Sequence, residues 1–288
     1  MSAKLPLINP YNSISEGLVS ELKAALYRFG AFRLAAPETT QSRRDAARDF
    51  FRQPVAAKAG ITGYSPFASE RVRGRTEIPK ESIYFFRNGA ESNYPKGPSS
   101  NLYRSVKCLH EVVLATPAIE WTPIRLHLLK TMSQALDADV QLAGTTLLDS
   151  ATVGVHYYDS KSLPDHSAYF SPPHMDSGTL TVLFRSHDET DGLEIADLET
   201  TEKQDSEGVG SEASFIPVPT LGDGMPEVVV FAGTRLQRLF GRHRVRACVH
   251  RVRGPGVGRH SSSGVRRLSI AMFCAPSEPS IPPLSSSS

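Results

Sequence analysis

From Thr145 onward the chain breaks into short runs that alternate or are rich in β-branched residues. These are "TTLLDSATVGVHYYD", "GTLTVLFRS", "GLEIADL", "SFIPVP", "EVVVFAG", "RHRVRACVHRVRG" and "VRRLSIAMFCA", each set off by turn residues. So many strand-like runs at close spacing must pair with one another, which limits this half of the chain to a sandwich or barrel. The first half reads differently. "KLPLINPY" is a short strand ending in a turn. "SISEGLVSELKAALYRFG" places Leu18, Leu22, Ala25, Leu26 and Phe29 at helical spacing, with Ser13 or Ser15 as N-cap and Gly30 as the stop. "AFRLA" predicts a strand and "ETTQSRRDAARDFFRQP" a second helix, closed by Pro54. Residues 60–97 read as loops and short strands, and residues 109–136 as helical, with Pro123 separating two helices.

Helices first and strands after predict a mainly β fold with α, a β core buttressed by N-terminal helices. We expect one domain over residues 1–275, with a helical portion 1–140, a β portion 141–275 carrying an insertion at 197–226, and a disordered tail at 276–288. The insertion centres on "TTEKQDSEGVGSEA", which is polar and rich in Gly and Ser. The tail, "APSEPSIPPLSSSS", has the composition of disorder.

Charge excludes some function classes. The formal net charge is +2, which gives no global electrostatic case for a nucleic-acid or membrane partner. The basic runs "ERVRGR" and "RHRVRACVHRVRG" are explained by arginines on solvated strand faces. Cys108, Cys248 and Cys274 are odd in number and scattered, which suits a reducing compartment. With no apolar signal core at the N-terminus, the expectation is a cytoplasmic protein. Nothing in the sequence indicates an oligomeric state.

The chemistry concentrates in "SPPHMDSGTLTVLF". On a strand, positions i and i+2 share a face, so His174 and Asp176 would present an imidazole and a carboxylate side by side. Two ligands are too few for a divalent metal. "RHRVRACVHRVRG" offers His243 and His250, and in one unbroken strand their spacing of seven (250 − 243) turns them to opposite faces. Two histidines and a carboxylate on one face of a metal leave three positions open, the facial triad of non-haem Fe(II) oxygenases. In "GVRRLSI", Arg267 and Ser269 share a face and form a charge-assisted fork for a carboxylate.

Taken in order, H-x-D, a distal H-R-V and R-x-S resemble the isopenicillin N synthase-like Fe(II)- and 2-oxoglutarate-dependent dioxygenases. "LPLINP", "ALYRFGAFRLA", "KESIYFF", "HYYD", "GLEI" and "RRLSIAMFCAP" resemble further segments of that family, so the similarity covers most of the chain. It implies a distorted double-stranded β-helix, or jelly roll. It also implies Fe(II) on His174, Asp176 and His250, and 2-oxoglutarate with its far carboxylate on Arg267, Ser269 and Tyr158. Oxidative decarboxylation of 2-oxoglutarate by O2 would then drive hydroxylation, desaturation or ring rearrangement of a small organic molecule, in specialised-metabolite biosynthesis. Tyr64, Phe67, Arg71, Phe85, Phe170 and Phe273 are the candidate substrate contacts. The chain departs from the family pattern in five places, the first being that the "nHG" after the family's "GFF" is missing. His156 stands for an asparagine and Asp159 for a proline in "HYYD"; "FAGTRLQ" stands where a Gly-Asp pair is usual; and "GPGVGRHSSSG" lengthens the stretch between His250 and Arg267. These departures leave two rivals, a family oxidase that does not use 2-oxoglutarate and a catalytically silent binding protein on the same fold.

Overall fold

The structure is a computed structural model. It describes residues 5–9, 13–35, 40–72, 76–86, 101–111, 130–136, 150–160, 169–184, 192–200, 214–218, 227–254 and 266–275. Among them the strands are β1 (Leu7–Ile8), β2 (Ala31–Ala35), β3 (Tyr64–Ser65), β4 (Arg71–Val72), β5 (Thr76–Glu77), β6 (Lys80–Phe86) and β7 (Ser150–Asp159). There follow β8 (Tyr169–His174), β9 (Leu180–Phe184), β10 (Leu193–Ala196), β11 (Phe215–Pro217), β12 (Glu227–Ala232), β13 (His250–Arg253) and β14 (Arg266–Ala275). The helices are α1 (Glu16–Arg28), α2 (Thr40–Phe51), α3 (Val55–Lys58), α4 (Asn101–His110) and α5 (Thr234–Phe240), and residues 130–136 and 198–200 are also helical.

The strands form a large sheet in the order β1-β2-β12-β9-β14-β7-β6-β3 and a four-stranded sheet in the order β11-β10-β13-β8; β4 and β5 make a separate hairpin. This is the mainly β architecture with N-terminal helices that the element order predicts.

The large sheet is buried on both faces, and strand parity sorts its side chains. On β14, Leu268 and Ile270 join the cluster under the helices, whereas Ala271 joins the cluster between the sheets. On β12, Val228 and Val230 face the helices while Val229 and Phe231 face inward. On β7, Val153 and Val155 face the helices and Tyr158 faces inward. Two buried faces explain why "EVVVFA" is apolar throughout instead of alternating.

α1 forms where the apolar spacing predicts it. Ser15 Oγ accepts from the Leu18 amide at 3.2 Å, and Gly30 ends the helix at φ +64° with its amide on Ala25 O at 3.1 Å. A Cβ at Gly30 would come within 2.2 Å of Arg246 O, so both the left-handed backbone and the close approach require glycine there.

Two expectations change, and one helix was not foreseen. "RHRVRACVHRVRG" is a strand only from His250. Residues 242–244 form a turn after α5, and 245–249 are held by bonds outside the ladders, with the Arg246 amide on Leu26 O and the Cys248 amide on Ala232 O. "TRLQRLF" is a helix that buries Leu236 and Phe240, an i, i+4 pair. Within the expected insertion 197–226, Phe215–Pro217 form β11 and pair with β10, and Val218 is buried. The polar stretch 201–213, Pro123 and the tail 276–288 lie outside the described residues.

Candidate metal centre and cosubstrate site

β13 lies antiparallel to β8 with His250 directly opposite His174. β8 ends at His174, so Asp176 sits in the turn leading to β9 and not on a strand beside His174. The Asp176 carbonyl accepts from the Thr234 amide at 2.8 Å, and Thr181 Oγ1 donates to Asp176 Oδ2 at 2.6 Å. The start of α5 and one β9 hydroxyl therefore fix the carboxylate and leave Oδ1 for the cluster.

One possible ligand atom from each of His174, Asp176 and His250 lies within 4.8 Å of the others. His174 Nδ1 donates to Pro172 O at 2.8 Å and His250 Nδ1 to Cys248 O at 3.3 Å. Both protons are thus on Nδ1, and each Nε2 turns a lone pair toward Asp176 Oδ1, at 3.8 and 4.0 Å. These gaps are too long for hydrogen bonds and shorter than two metal–ligand bonds of about 2.1 Å each. Two nitrogen lone pairs and a carboxylate oxygen converging without a proton between them suit a divalent cation, with backbone carbonyls fixing each imidazole's tautomer. Burial, with His250 adjacent, pushes the His174 pKa down to about 4 against the pull of Asp176, so the ring is neutral at physiological pH. Phe231 stacks on His250 with ring centroids 4.5 Å apart. His243 is exposed in the turn after α5 and takes no part in the cluster. His250 is brought to His174 by the β13–β8 pairing, not by continuity with β14, which belongs to the other sheet.

The cluster opens on a cavity of about 530 Å³ between the two sheets, within the range of about 300–1,000 Å³ usual for small-molecule sites. Arg267, Ser269 and Tyr158 line the same cavity. In register, Arg267 stands opposite Tyr158 and Ser269 opposite His156, so two rows of inward side chains run across β14 and β7. The Arg267 guanidinium carbon lies 5.3 Å from the Tyr158 ring centroid. Leu183, Leu193, Phe231 and Val252 supply apolar wall.

Of the six candidate substrate contacts, Phe273 lines the cavity, on the same face as Ser269. Phe85 stands opposite Val153 in the helix-side core. Tyr64 and Phe67 are also on that side, Tyr64 against Phe50 and Phe67 edge-on to Tyr157. Phe170 packs on Tyr158 at 5.5 Å within the core between the sheets. Arg71 lies on β4 opposite Glu77. Composition pointed to aromatics, but strand parity decides which face they occupy.

Sequence reasoning missed Glu70 and Lys80, which line the cavity. Their signal is the alternation in "KESIYFF": Lys80 and Ser82 stand opposite Tyr158 and His156 and so share their inward face. His156 sits over Gly154, where a Cβ would meet the imidazole at 2.8 Å. Its Nδ1 lies 2.9 Å from Ser82 Oγ and 3.3 Å from Lys80 Nζ. An ammonium only donates, so Nδ1 accepts and the ring proton is on Nε2. Burial first, then Lys80 and Arg267, hold the His156 pKa well below its ordinary value.

No curated protein sequence matches the chain. Solved structures do. A full-length Neurospora crassa protein in complex with alpha-KG and thymine is similar at 20% identity and a TM-score of 0.68, over 96% of this chain and 87% of that one. A 2OG-Fe(II) oxygenase family protein from Caulobacter crescentus is similar at 22% identity and 0.66, over 96% and 88%. The rice dioxygenase for auxin oxidation is similar at 21% and 0.63, over 95% and 84%. Residues 150–276, which include His174, Asp176, His250 and Arg267, match the model of the family described as the 2OG-Fe(II) oxygenase superfamily. Over that segment, a little under half of its length, the chain is similar to the 2OG-Fe(II) oxygenase superfamily.

Proposed function

We propose that His174, Asp176 and His250 hold one ferrous ion, that Arg267, Ser269 and Tyr158 anchor the far carboxylate of 2-oxoglutarate, and that the protein oxidises a small organic molecule with O2. The isopenicillin N synthase-like subfamily, a single catalytic domain over 1–275 and a role in specialised metabolism belong to the same proposal. The observation that carries it is the convergence of two deprotonated Nε2 atoms and Asp176 Oδ1 in the same cavity as Arg267. That relatives of this fold are solved with alpha-KG and thymine, or act in auxin oxidation, supports a small-molecule substrate.

Bound there, iron would supply the O2 chemistry that no side chain provides. The protein's own part is positioning. Thr181 and the two backbone carbonyls hold the three donors in place. Arg267 and Ser269 fix the cosubstrate's length and direction, with Tyr158 beside them. The apolar wall of Leu183, Leu193, Phe231 and Val252 keeps bulk water from the reacting atoms. No side chain is asked to act as a general base.

Succinate release from 2-oxoglutarate, measured against substrate disappearance, tests the proposal. Equimolar succinate is expected. Substrate oxidation without succinate would favour a family oxidase that does not use 2-oxoglutarate.

A further inference from the structure

The inward face that carries Arg267 and Tyr158 continues onto β6, where Lys80 stands opposite Tyr158. Lys80 Nζ lies 2.8 Å from Glu70 Oε2, 3.3 Å from His156 Nδ1 and 3.4 Å from the Tyr84 hydroxyl. Three acceptors occupy the three protons of the ammonium. Tyr84 in turn donates to Glu70 Oε2 at 2.8 Å. The other carboxylate oxygen, Glu70 Oε1, is buried and has no hydrogen-bond partner. Glu70, Lys80 and His156 all line the cavity that holds the metal cluster. Burial alone would raise the Glu70 pKa, but the charge of Lys80 and the bonds from Lys80, Tyr84 and Ser82 outweigh it and hold the group below its ordinary value. Glu70 is therefore an anion at neutral pH, and His156 a neutral ring with its proton on Nε2.

This wall discriminates between ligand chemistries. On the function proposed above, Arg267 is engaged by the cosubstrate. Lys80 is the other cation lining the cavity among the described residues, and Glu70 already neutralises it. A second carboxylate would find neither cation open to it and would meet the like charge of Glu70. A ligand without net charge meets no such repulsion at this wall. A carbonyl on the same ligand could accept from His156 Nε2–H. We propose that the substrate is an uncharged molecule of the amide, lactam or imide class, that its carbonyl accepts from His156, and that the Glu70–Lys80 pair excludes carboxylic acids. The proposal rests on the Fe(II) and 2-oxoglutarate site described above and names the substrate class of that site.

The test uses the full chain loaded with Fe(II) and 2-oxoglutarate without O2, loading being read from the absorption band of the complex. Calorimetric titration then compares benzamide with benzoate and nicotinamide with nicotinate. Each amide is expected to bind at least about tenfold more tightly than its acid. Glu70→Gln leaves Lys80 uncompensated, so the ratio should fall to about one or invert while the absorption band is unchanged. Acids that bind as tightly as the amides overturn the proposal, as does the case in which neither binds, or a ratio that Glu70→Gln leaves unmoved. If Glu70→Gln does not load, the comparison on the native protein decides alone. A native protein that shows no band defeats the metal and cosubstrate assignment instead, which separates the two failures.

Discussion

At the proposed metal site, each of the three donors is oriented by a neighbour that leaves one lone pair free: Pro172 O for His174, Cys248 O for His250 and Thr181 Oγ1 for Asp176. Truncating any ligand leaves two donors, and truncating Thr181 frees the carboxylate to turn. Thr181→Val should therefore weaken iron binding about 10- to 100-fold, measured by competition with a chelator. Arg267→Ala removes a buried guanidinium beside Tyr158. It should weaken 2-oxoglutarate binding by about 1.5–3 kcal/mol, the worth of a charged hydrogen bond, with iron affinity unchanged. Gly154→Ala places a methyl 2.8 Å from the His156 ring and 3.0 Å from Phe273. The imidazole must leave Ser82 and Lys80, so substrate binding should fall while iron binding persists. That the residues of H-x-D and R-x-S share one cavity was foreshadowed in the sequence, because a metal site and a carboxylate fork each need particular atoms at particular spacings. The face taken by an aromatic was not, since Phe85 and Phe273 both suit an apolar wall and only cross-strand register separates them.

At the scale of elements, two ion pairs tie helices to the β core. Lys58 at the end of α3 is fully buried, with Nζ paired to Glu81 of β6 and bonded to Phe51 O at 3.0 Å, and Tyr64 donates to Glu81 at 2.7 Å. Lys58→Met should cost about 3–5 kcal/mol because Glu81 is left buried without its cation, and Glu81→Gln in the same chain should restore much of that. Urea denaturation of the three proteins checks it. Arg28 of α1 grips Asp197 through both carboxylate oxygens, at 3.1 and 2.6 Å, and Asp197 Oδ1 accepts from the Thr200 amide in the helical residues 198–200 that follow β10. Burial works to raise the Asp197 pKa, but the bonds from Arg28 and Thr200 outweigh it and the value is lowered. The stability it confers is thus present above the unfolded carboxylate value of about 3.9 and is lost as pH falls through the lower folded value. Asp197→Asn should lower the urea midpoint at neutral pH and flatten its decline on the acid side. Strands such as β12 and β14 were legible as apolar runs, and α1 as a capped period. α5 was hidden because seven residues show only one i, i+4 pair, Leu236 and Phe240. "RHRVRACVH" imitated a strand, although its amides bond to Leu26 and Ala232 outside any ladder.

Across the whole molecule, the large sheet keeps its helices on one face and opens the other to the small sheet, and the cavity lies where those inner faces meet. Every group assigned to chemistry comes from that gap: His174 and His250 from the small sheet, Arg267, Tyr158 and Lys80 from the large one, and Asp176 from the turn between β8 and β9. The order of elements foretold the two halves, but not that β8 and β13 would set two histidines face to face, because pairing between strands some 75 residues apart (250 − 174 = 76) leaves no local trace. The central claim is that this pairing builds one iron site. Anaerobic titration of the full chain with Fe(II) in the presence of 2-oxoglutarate tests it most directly. One iron per chain, with an absorption band that is lost in His250→Ala and kept in His243→Ala, is the predicted result. No iron uptake by the native chain, or an undiminished band in His250→Ala, would contradict it.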